Sequence, residues 1–173
     1  MFWRDFLTGV KFVFVVGVLA HILGFIIPKE KLSHNSFPFK AFEWEKGGVF
    51  YNRFHVSRWM TKLPDMSNIV PYMFRKKLDR NMSSEHILKY INETCLAELV
   101  HILLILSSPV LALVVEGNTG VAFMLIYALC NIPFIMIQRY NRPKLERLYA
   151  RQIKKEESFG KGSADCESID TVV

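Results

Sequence analysis

The sequence has few cysteines, the residues that crosslink small disulfide-rich domains and bind structural metal ions. It contains three cysteines in 173 residues. Cys95, Cys130 and Cys166 are scattered along the chain, so their spacing matches neither a disulfide framework nor a zinc site. We therefore predict no metal site and no permanently bound cofactor.

Long apolar runs, in contrast, are abundant, and 51% of the residues are hydrophobic. Three runs, 10–27, 99–115 and 121–137, have about the length needed to cross ~30 Å of hydrocarbon. The second run contains Pro109, which should kink it, and a short polar loop joins it to the third as an antiparallel hairpin. The first lacks a small-residue cleavage site at its end, so we interpret it as an uncleaved anchor. These runs predict an all-α integral membrane protein with about three transmembrane helices plus interfacial amphipathic helices.

The positive charge is unevenly distributed. The formal net charge is +6, and Lys and Arg concentrate in 29–89 and 139–161, whereas the hairpin loop has none. The positive-inside rule then places the long loop and the tail in the cytoplasm of a multi-pass cell-membrane protein. A membrane lipid surface accounts for this charge, so we expect no nucleic-acid partner.

The pattern predicts one membrane-embedded domain, 1–155, and a disordered tail, 156–173. A cytoplasmic interfacial segment, 29–95, connects the first two membrane helices. Within it, 49–63 is predicted as a helix in the headgroup layer, and Pro143 is predicted to start a new helix, 144–155. Polar residues of the interfacial segment serve either as anchors or as a substrate-binding floor. These residues are Glu43, Glu45, Arg53 and Arg58.

Ionisable residues enter the second apolar run. Glu93, Glu98 and His101 lie on one side of a helix, because side chains three or four residues apart are neighbours. Charges at membrane depth cost about 2.5 kcal/mol or more and usually serve a function. We predict that His101 is a general base and that Glu98 or Glu93 orients its ring, the alternative being an ion pair that only anchors the helix.

The third run also carries polar residues on a narrow sector. Asn131 and Gln138 either join helices by hydrogen bonds or face the His101 group and bind substrate. Beyond them a basic patch is predicted to bind the phosphates of a coenzyme or of lipid headgroups. This patch consists of Arg139, Arg142, Lys144 and Arg147.

Three stretches of the sequence resemble signature blocks of the glycosyl-4,4′-diaponeurosporenoate acyltransferase family. The first is Phe42-Glu-Trp-Glu-Lys-Gly-Gly-Val-Phe-Tyr, with the later Arg58-Trp59 and Leu63-Pro64-Asp65. The second begins at Glu93 and ends at His101. The third begins at Asn131 and ends at Leu145. The resemblance covers most of residues 10–150, with the blocks in the same order.

The resemblance implies esterification of a glucose hydroxyl of a glycosyl carotenoid, or of another glycolipid acceptor, with a fatty acyl chain. Neither Gly-x-Ser-x-Gly nor the His-x-x-x-x-Asp spacing of glycerolipid acyltransferases occurs. We therefore expect the hydroxyl to attack an acyl thioester co-substrate directly, with His101 as base. The rival interpretation is a non-enzymatic membrane protein, an assembly factor or complex subunit.

Overall fold

The computed structural model describes residues 2–63 and 82–169, with side chains described at 3–29, 31–63 and 82–158. Within these ranges all regular structure is helical. The α-helices are α1 (Phe2–Ile26), α2 (Val56–Trp59), α3 (Ser84–Ser107), α4 (Pro109–Val114) and α5 (Gly117–Ile169), and 3₁₀ turns occupy Lys29–Lys31, Glu43–Phe54 and Met60–Lys62.

Three stretches of the described chain are long and apolar enough to cross a membrane: Trp3–Ile26, Ser84–Val114 and Gly117–Ser158. This confirms the predicted fold class. Arg4 lies 3.9 Å from Glu116 at the hairpin tip, whereas Lys29 lies 3.3 Å from Glu93 near the start of α3. The start of α1 and the hairpin tip therefore lie at one end of the bundle, and the interfacial segment lies at the other.

The predicted break at Pro109 occurs where α3 gives way to α4. Helix α3 begins at Ser84, with the Ser83 side chain as its N-cap, and ends at Ser107. Pro109 opens α4 at a position where its missing N–H costs no hydrogen bond. The chain then reverses through Gly117 at φ +67°.

The prediction that a new helix starts at Pro143 is wrong, because α5 continues through both Pro133 and Pro143 to Ile169. It thus enters the segment 156–173, for which the sequence predicts disorder. A proline inside a helix leaves the carbonyl four residues earlier without its usual partner. For Pro143 this carbonyl belongs to Arg139, and the interfacial segment packs against it.

The prediction of one continuous helix over 49–63 is also wrong, because the segment is divided into short helical pieces. Lys46, Gly47 and Gly48 all adopt left-handed φ values and interrupt the helical turns of Glu43–Phe54. His55 at φ 52° causes a second break, so that α2 is only four residues long. The remainder of the predicted interfacial segment, 64–81, lies outside the described residues.

The interfacial segment packs on α5 through a small core. Tyr51, Val56 and Tyr140 are buried together, with Met136 and Trp59 against them. Gly48 approaches the α5 backbone so closely that a Cβ on it would lie 3.1 Å from the Tyr140 carbonyl oxygen and 3.6 Å from that of Arg139. The glycine therefore fits over the carbonyls beside the Pro143 interruption.

We expect Gly48→Ala to destabilise the fold by about 1–3 kcal/mol, the usual cost of holding a non-glycine residue in a disfavoured backbone region. The new Cβ would also crowd the Tyr140 carbonyl. Gly47→Ala is the matched control, because Gly47 has φ +62° and a Cβ there would meet nothing within 4 Å. Thermal unfolding in detergent should show a larger loss for Gly48→Ala, and equal losses would contradict the close approach.

Candidate functional site

Polar side chains line the contact between α3 and α5. Thr94, Glu98 and His101 follow each other at i, i+4 and i+7 on α3, so they share one face. On α5 the facing residues include Asn131 and Arg142. Glu98 is 0% exposed and Arg142 is 2% exposed, so this polar seam lies inside the protein. It has two layers, one charged and one neutral.

The charged layer centres on Glu98, whose two carboxylate oxygens bind two arginines. Arg139 Nε donates to Oε1 at 2.6 Å, and Arg142 Nη2 donates to Oε2 at 2.5 Å. A second buried carboxylate, Glu45, accepts from Arg139 Nη1 at 2.7 Å. Two carboxylates thus balance two guanidinium groups, as burial of charge requires.

Glu45 reaches this layer from the interfacial segment because the left-handed turn 46–48 folds the segment back on α5. Its second oxygen accepts from the Phe42 backbone N–H at 2.9 Å, and Tyr51 donates its hydroxyl proton to Oε1 at 2.5 Å. Burial, and then the Glu45 carboxylate, raise the pKa of the Tyr51 phenol above its usual value. Tyr51 therefore remains a hydrogen-bond donor.

The remaining arginine protons are also used inside the protein. Arg142 donates to the Thr94 hydroxyl at 2.9 Å, to the Thr94 carbonyl at 3.0 Å and to the Phe39 carbonyl at 2.6 Å. Arg139 donates to the Pro38 carbonyl, and its guanidinium lies 4.8 Å from the centre of the Phe42 ring. The charged layer therefore joins the interfacial segment to both long helices.

These contacts contradict the prediction that four basic residues form one patch for the phosphates of a coenzyme or of lipid headgroups. Arg139 and Arg142 turn inward and are occupied by carboxylates and carbonyls. Lys144 and Arg147 are exposed on another side of α5, and the Lys144 ammonium lies 3.2 Å from the centre of the Tyr140 ring. The four residues do not form one site.

The neutral layer, one helical turn from Glu98 toward the hairpin, pairs His101 with Asn131. The Nδ1 atom of His101 lies 2.9 Å from Asn131 Oδ1, and the imidazole stacks on Phe134 with ring centres 4.6 Å apart. The Asn131 amide nitrogen donates to the Tyr127 carbonyl at 2.8 Å. His101 is only partly buried.

This geometry fixes the tautomer of a neutral His101. A backbone carbonyl only accepts, so the Asn131 atom facing Tyr127 must be its NH₂ group. The Asn131 oxygen then faces the imidazole and accepts a proton from Nδ1. In the neutral ring the other nitrogen, Nε2, carries the lone pair. That is the form a general base needs.

The predicted carboxylate partners of His101 are therefore wrong. Glu98 binds the two arginines, and Glu93 pairs with Lys29. Within the described part of the chain, no hydrogen bond or ion pair joins either carboxylate to His101. Asn131, instead of a carboxylate, forms the hydrogen bond that orients the His101 ring.

The other predicted substrate residues do not converge on one point. Gln138 is buried on the seam at 9% exposure, whereas Glu43, Arg53 and Arg58 are exposed. Arg53 lies 5.9 Å from the centre of the Phe50 ring. Among the described residues no group of His, Cys, Asp and Glu could hold a metal ion. Sequence reasoning missed Tyr51 and Thr94 as members of the site. The usable signal for Thr94 was its i, i+4 spacing from Glu98, whereas the turn at 46–48 separates Tyr51 from Glu45.

Comparisons with known proteins place this seam inside a matched region. The family described as glycosyl-4,4′-diaponeurosporenoate acyltransferase matches residues 35–151, a range that holds both layers. A protein of that name from Staphylococcus aureus strain bovine RF122 / ET3-1 is 35% identical over 129 residues, which cover 73% of this chain and 76% of the relative. Proteins of the same name from strains N315 and USA300 are 34% identical with the same coverage. No solved structure matches the chain.

Proposed function

This chain belongs to the glycosyl-4,4′-diaponeurosporenoate acyltransferase family and is an enzyme, and from that premise we propose that it esterifies a hydroxyl of a glycosylated apolar lipid, such as a glycosyl carotenoid, with a fatty acyl group. The acyl donor is a thioester. Family membership supports this enzyme over the alternative of a non-enzymatic assembly factor or subunit.

The observation that carries the mechanism is the His101–Asn131 pair. The acceptor hydroxyl gives its proton to His101 Nε2 while its oxygen attacks the thioester carbonyl carbon. The tetrahedral intermediate then breaks its C–S bond, and the leaving sulfur takes the proton from the imidazolium. An ester and a free thiol result, and His101 is neutral again.

Asn131 is the positioning residue in this proposal, and the charged layer is the support beneath it. Asn131 holds the Nδ1 proton, so Nε2 remains the acceptor. The Glu98–Arg139–Glu45 ion pairs join α3, α5 and the interfacial segment one turn away. A rigid support of this kind keeps a catalytic group within reach of its substrate.

Lipid analysis of cells tests the function. A deletion strain should lose one acylated glycolipid and accumulate its deacylated form, and the wild-type gene should restore the product. Complementation with His101→Ala should leave the precursor accumulated at equal protein abundance. An unchanged lipid profile in the deletion strain, together with a disrupted membrane complex, would instead support the subunit interpretation.

We expect Asn131→Ala to lower kcat by up to about 100-fold, because misplacing a catalytic group by an ångström is enough for such a loss. KM for both substrates should change little. The neighbouring Ile132→Ala is the matched control, since Ile132 is 42% exposed on the outer side of α5. Steady-state kinetics in detergent or liposomes measure both variants, and a normal kcat for Asn131→Ala would contradict the positioning role.

Membrane orientation is a further part of the proposal. The basic ends of the chain support a multi-pass cell-membrane protein whose interfacial segment and tail face the cytoplasm. In a background with all three cysteines replaced by serine, an impermeant thiol reagent added to intact cells should label Asn118→Cys and spare Lys62→Cys. Both residues are exposed. The reverse pattern would overturn the orientation.

A further inference from the structure

A stripe of positive charge follows α5 beyond its apolar part. We define the basic stripe as Lys144, Arg147, Arg151 and Lys154, which recur at i, i+3, i+7 and i+10 and so share one face. All four side chains are exposed. Leu148, also exposed at 36%, lies among them. No acidic residue occupies the remaining positions of this face, 155 and 158.

The basic stripe is held outward by contacts on the other side of α5. Glu156 accepts from the Ser84 backbone N–H at 2.9 Å and from the Ser84 hydroxyl at 2.6 Å. Tyr149 and Gln152 lie on the same side as Glu156 and are half-buried. These hydrogen bonds hold this part of α5 against the start of α3, and the basic stripe faces away from α3.

The position of the basic stripe argues against lipid headgroups as its main ligand. At 1.5 Å per residue, Lys144 lies about 10 Å and Lys154 about 25 Å beyond Ile137, where the apolar run ends. The headgroup layer on each side of a bilayer is only about 5–7 Å thick. A tilt of about 20° shortens these heights by less than a tenth. The basic stripe therefore extends into water.

The shape of the basic stripe argues against a small ligand. Coenzyme and other small-molecule sites are concave and bury most of the ligand. The basic stripe is the convex face of one helix and spreads its charges over about 15 Å. Such a surface complements an extended acidic surface, and complementary charge of this kind steers the encounter of two proteins.

We propose that the basic stripe is the docking surface for an acidic, water-soluble protein that carries the fatty acyl chain as a thioester. This inference rests on the proposed function, because it names the class of acyl donor. Docking brings the thioester to the membrane surface beside the seam. After transfer the carrier leaves with a free thiol.

The test compares two donors for the reconstituted enzyme: the acyl chain on an acidic carrier protein and the same chain on coenzyme A. The variant is the triple charge reversal Arg147→Glu, Arg151→Glu and Lys154→Glu, which spares Lys144 on the Tyr140 ring. We expect KM for the acyl carrier to rise about tenfold or more, with kcat and the KM for acyl-coenzyme A unchanged. For the wild type, KM for the carrier should rise with salt.

The matched control reverses three exposed charges elsewhere, Lys31→Glu, Lys40→Glu and Lys62→Glu, and should leave KM for the carrier unchanged. Equal increases in KM for both donors in the triple variant would overturn the proposal in favour of a phosphate site. A KM that responds only to the anionic lipid fraction would overturn it in favour of headgroups.

The two proposals fail in distinguishable ways. If the wild type transfers from neither donor, the proposed function fails, and the docking surface is judged by binding of fluorescent carrier to the protein in neutral-lipid liposomes. Loss of that binding in the triple variant, but not in the control, would sustain the docking surface. Equal binding by wild type and triple variant would overturn it.

Discussion

We expect His101→Ala to lower kcat about 100-fold or more, the usual effect of losing a general base, while the protein stays folded in the membrane. His101→Gln should lower kcat to a similar extent, because glutamine keeps a hydrogen-bonding group but cannot take up the hydroxyl proton. Steady-state acyl transfer, normalised to the amount of folded protein, measures both losses.

The control for this prediction is His86→Ala, at the exposed start of the same helix, which should keep normal turnover. Among the described residues the His86 side chain has its one hydrogen bond to the Ser83 hydroxyl, which also accepts from the His86 backbone N–H. Near-normal turnover of His101→Gln would show that the His101–Asn131 pair is structural. The polar groups of the interfacial segment, Glu43 and His55, would then be the next candidates for the base.

Glu98→Ala should destabilise the fold by about 3–5 kcal/mol, the typical cost of removing one partner of a buried ion pair. Among the described residues, Arg139 would lose one of its two carboxylate partners, and Arg142 would lose its only one. Protein abundance and thermal stability in detergent measure the effect.

The contrast for Glu98 is Glu85, an exposed carboxylate of the same helix paired with Lys89 at 2.9 Å. Exposed helix pairs contribute little, so Glu85→Ala should leave abundance unchanged. A Glu98→Ala protein with normal stability but no turnover would contradict the supporting role and make the charged layer the reacting site.

The membrane helices could be predicted from the sequence because their cause is local. An apolar run about as long as the bilayer is thick needs no knowledge of the rest of the chain. The same holds for the end of α3 before Pro109, where proline lacks the N–H that would continue the helix. The polar residues of the third run were interpreted either as joining helices or as facing the His101 group across the hairpin, and the hydrogen bond between His101 and Asn131 fits both interpretations.

Pairing inside the seam could not be predicted, because it depends on which charges meet across the fold. His101 lies one turn from Glu98 in sequence, and that proximity favoured a carboxylate–histidine pair. Two arginines from α5 bind Glu98 more strongly than a neutral imidazole does, since each contributes opposite charge and fixed donors. The buried Glu98 carboxylate therefore pairs with the two arginines, and His101 forms its hydrogen bond with Asn131 instead.

The basic residues at the end of the third apolar run also lie on different sides of α5, which the predicted patch did not take into account. Arg142 and Lys144 are two residues apart, so they point about 200° apart around α5. The predicted basic patch therefore combined Arg142, which points into the protein, with Lys144, which points outward. The interfacial turn was missed for another reason: a left-handed φ is unusual for a residue other than glycine, and Lys46 adopts one, at φ 47°.

The most direct measurement is mass spectrometry of lipids after the purified protein, reconstituted in liposomes, meets a glycosyl carotenoid and an acyl thioester. The proposed function predicts a new species whose mass equals the acceptor plus the fatty acid minus one water, formed with release of one thiol per ester. His101→Gln at equal amount should form almost none. Thiol release without an acylated acceptor, or no product from folded wild-type protein with either class of donor, would contradict the proposal.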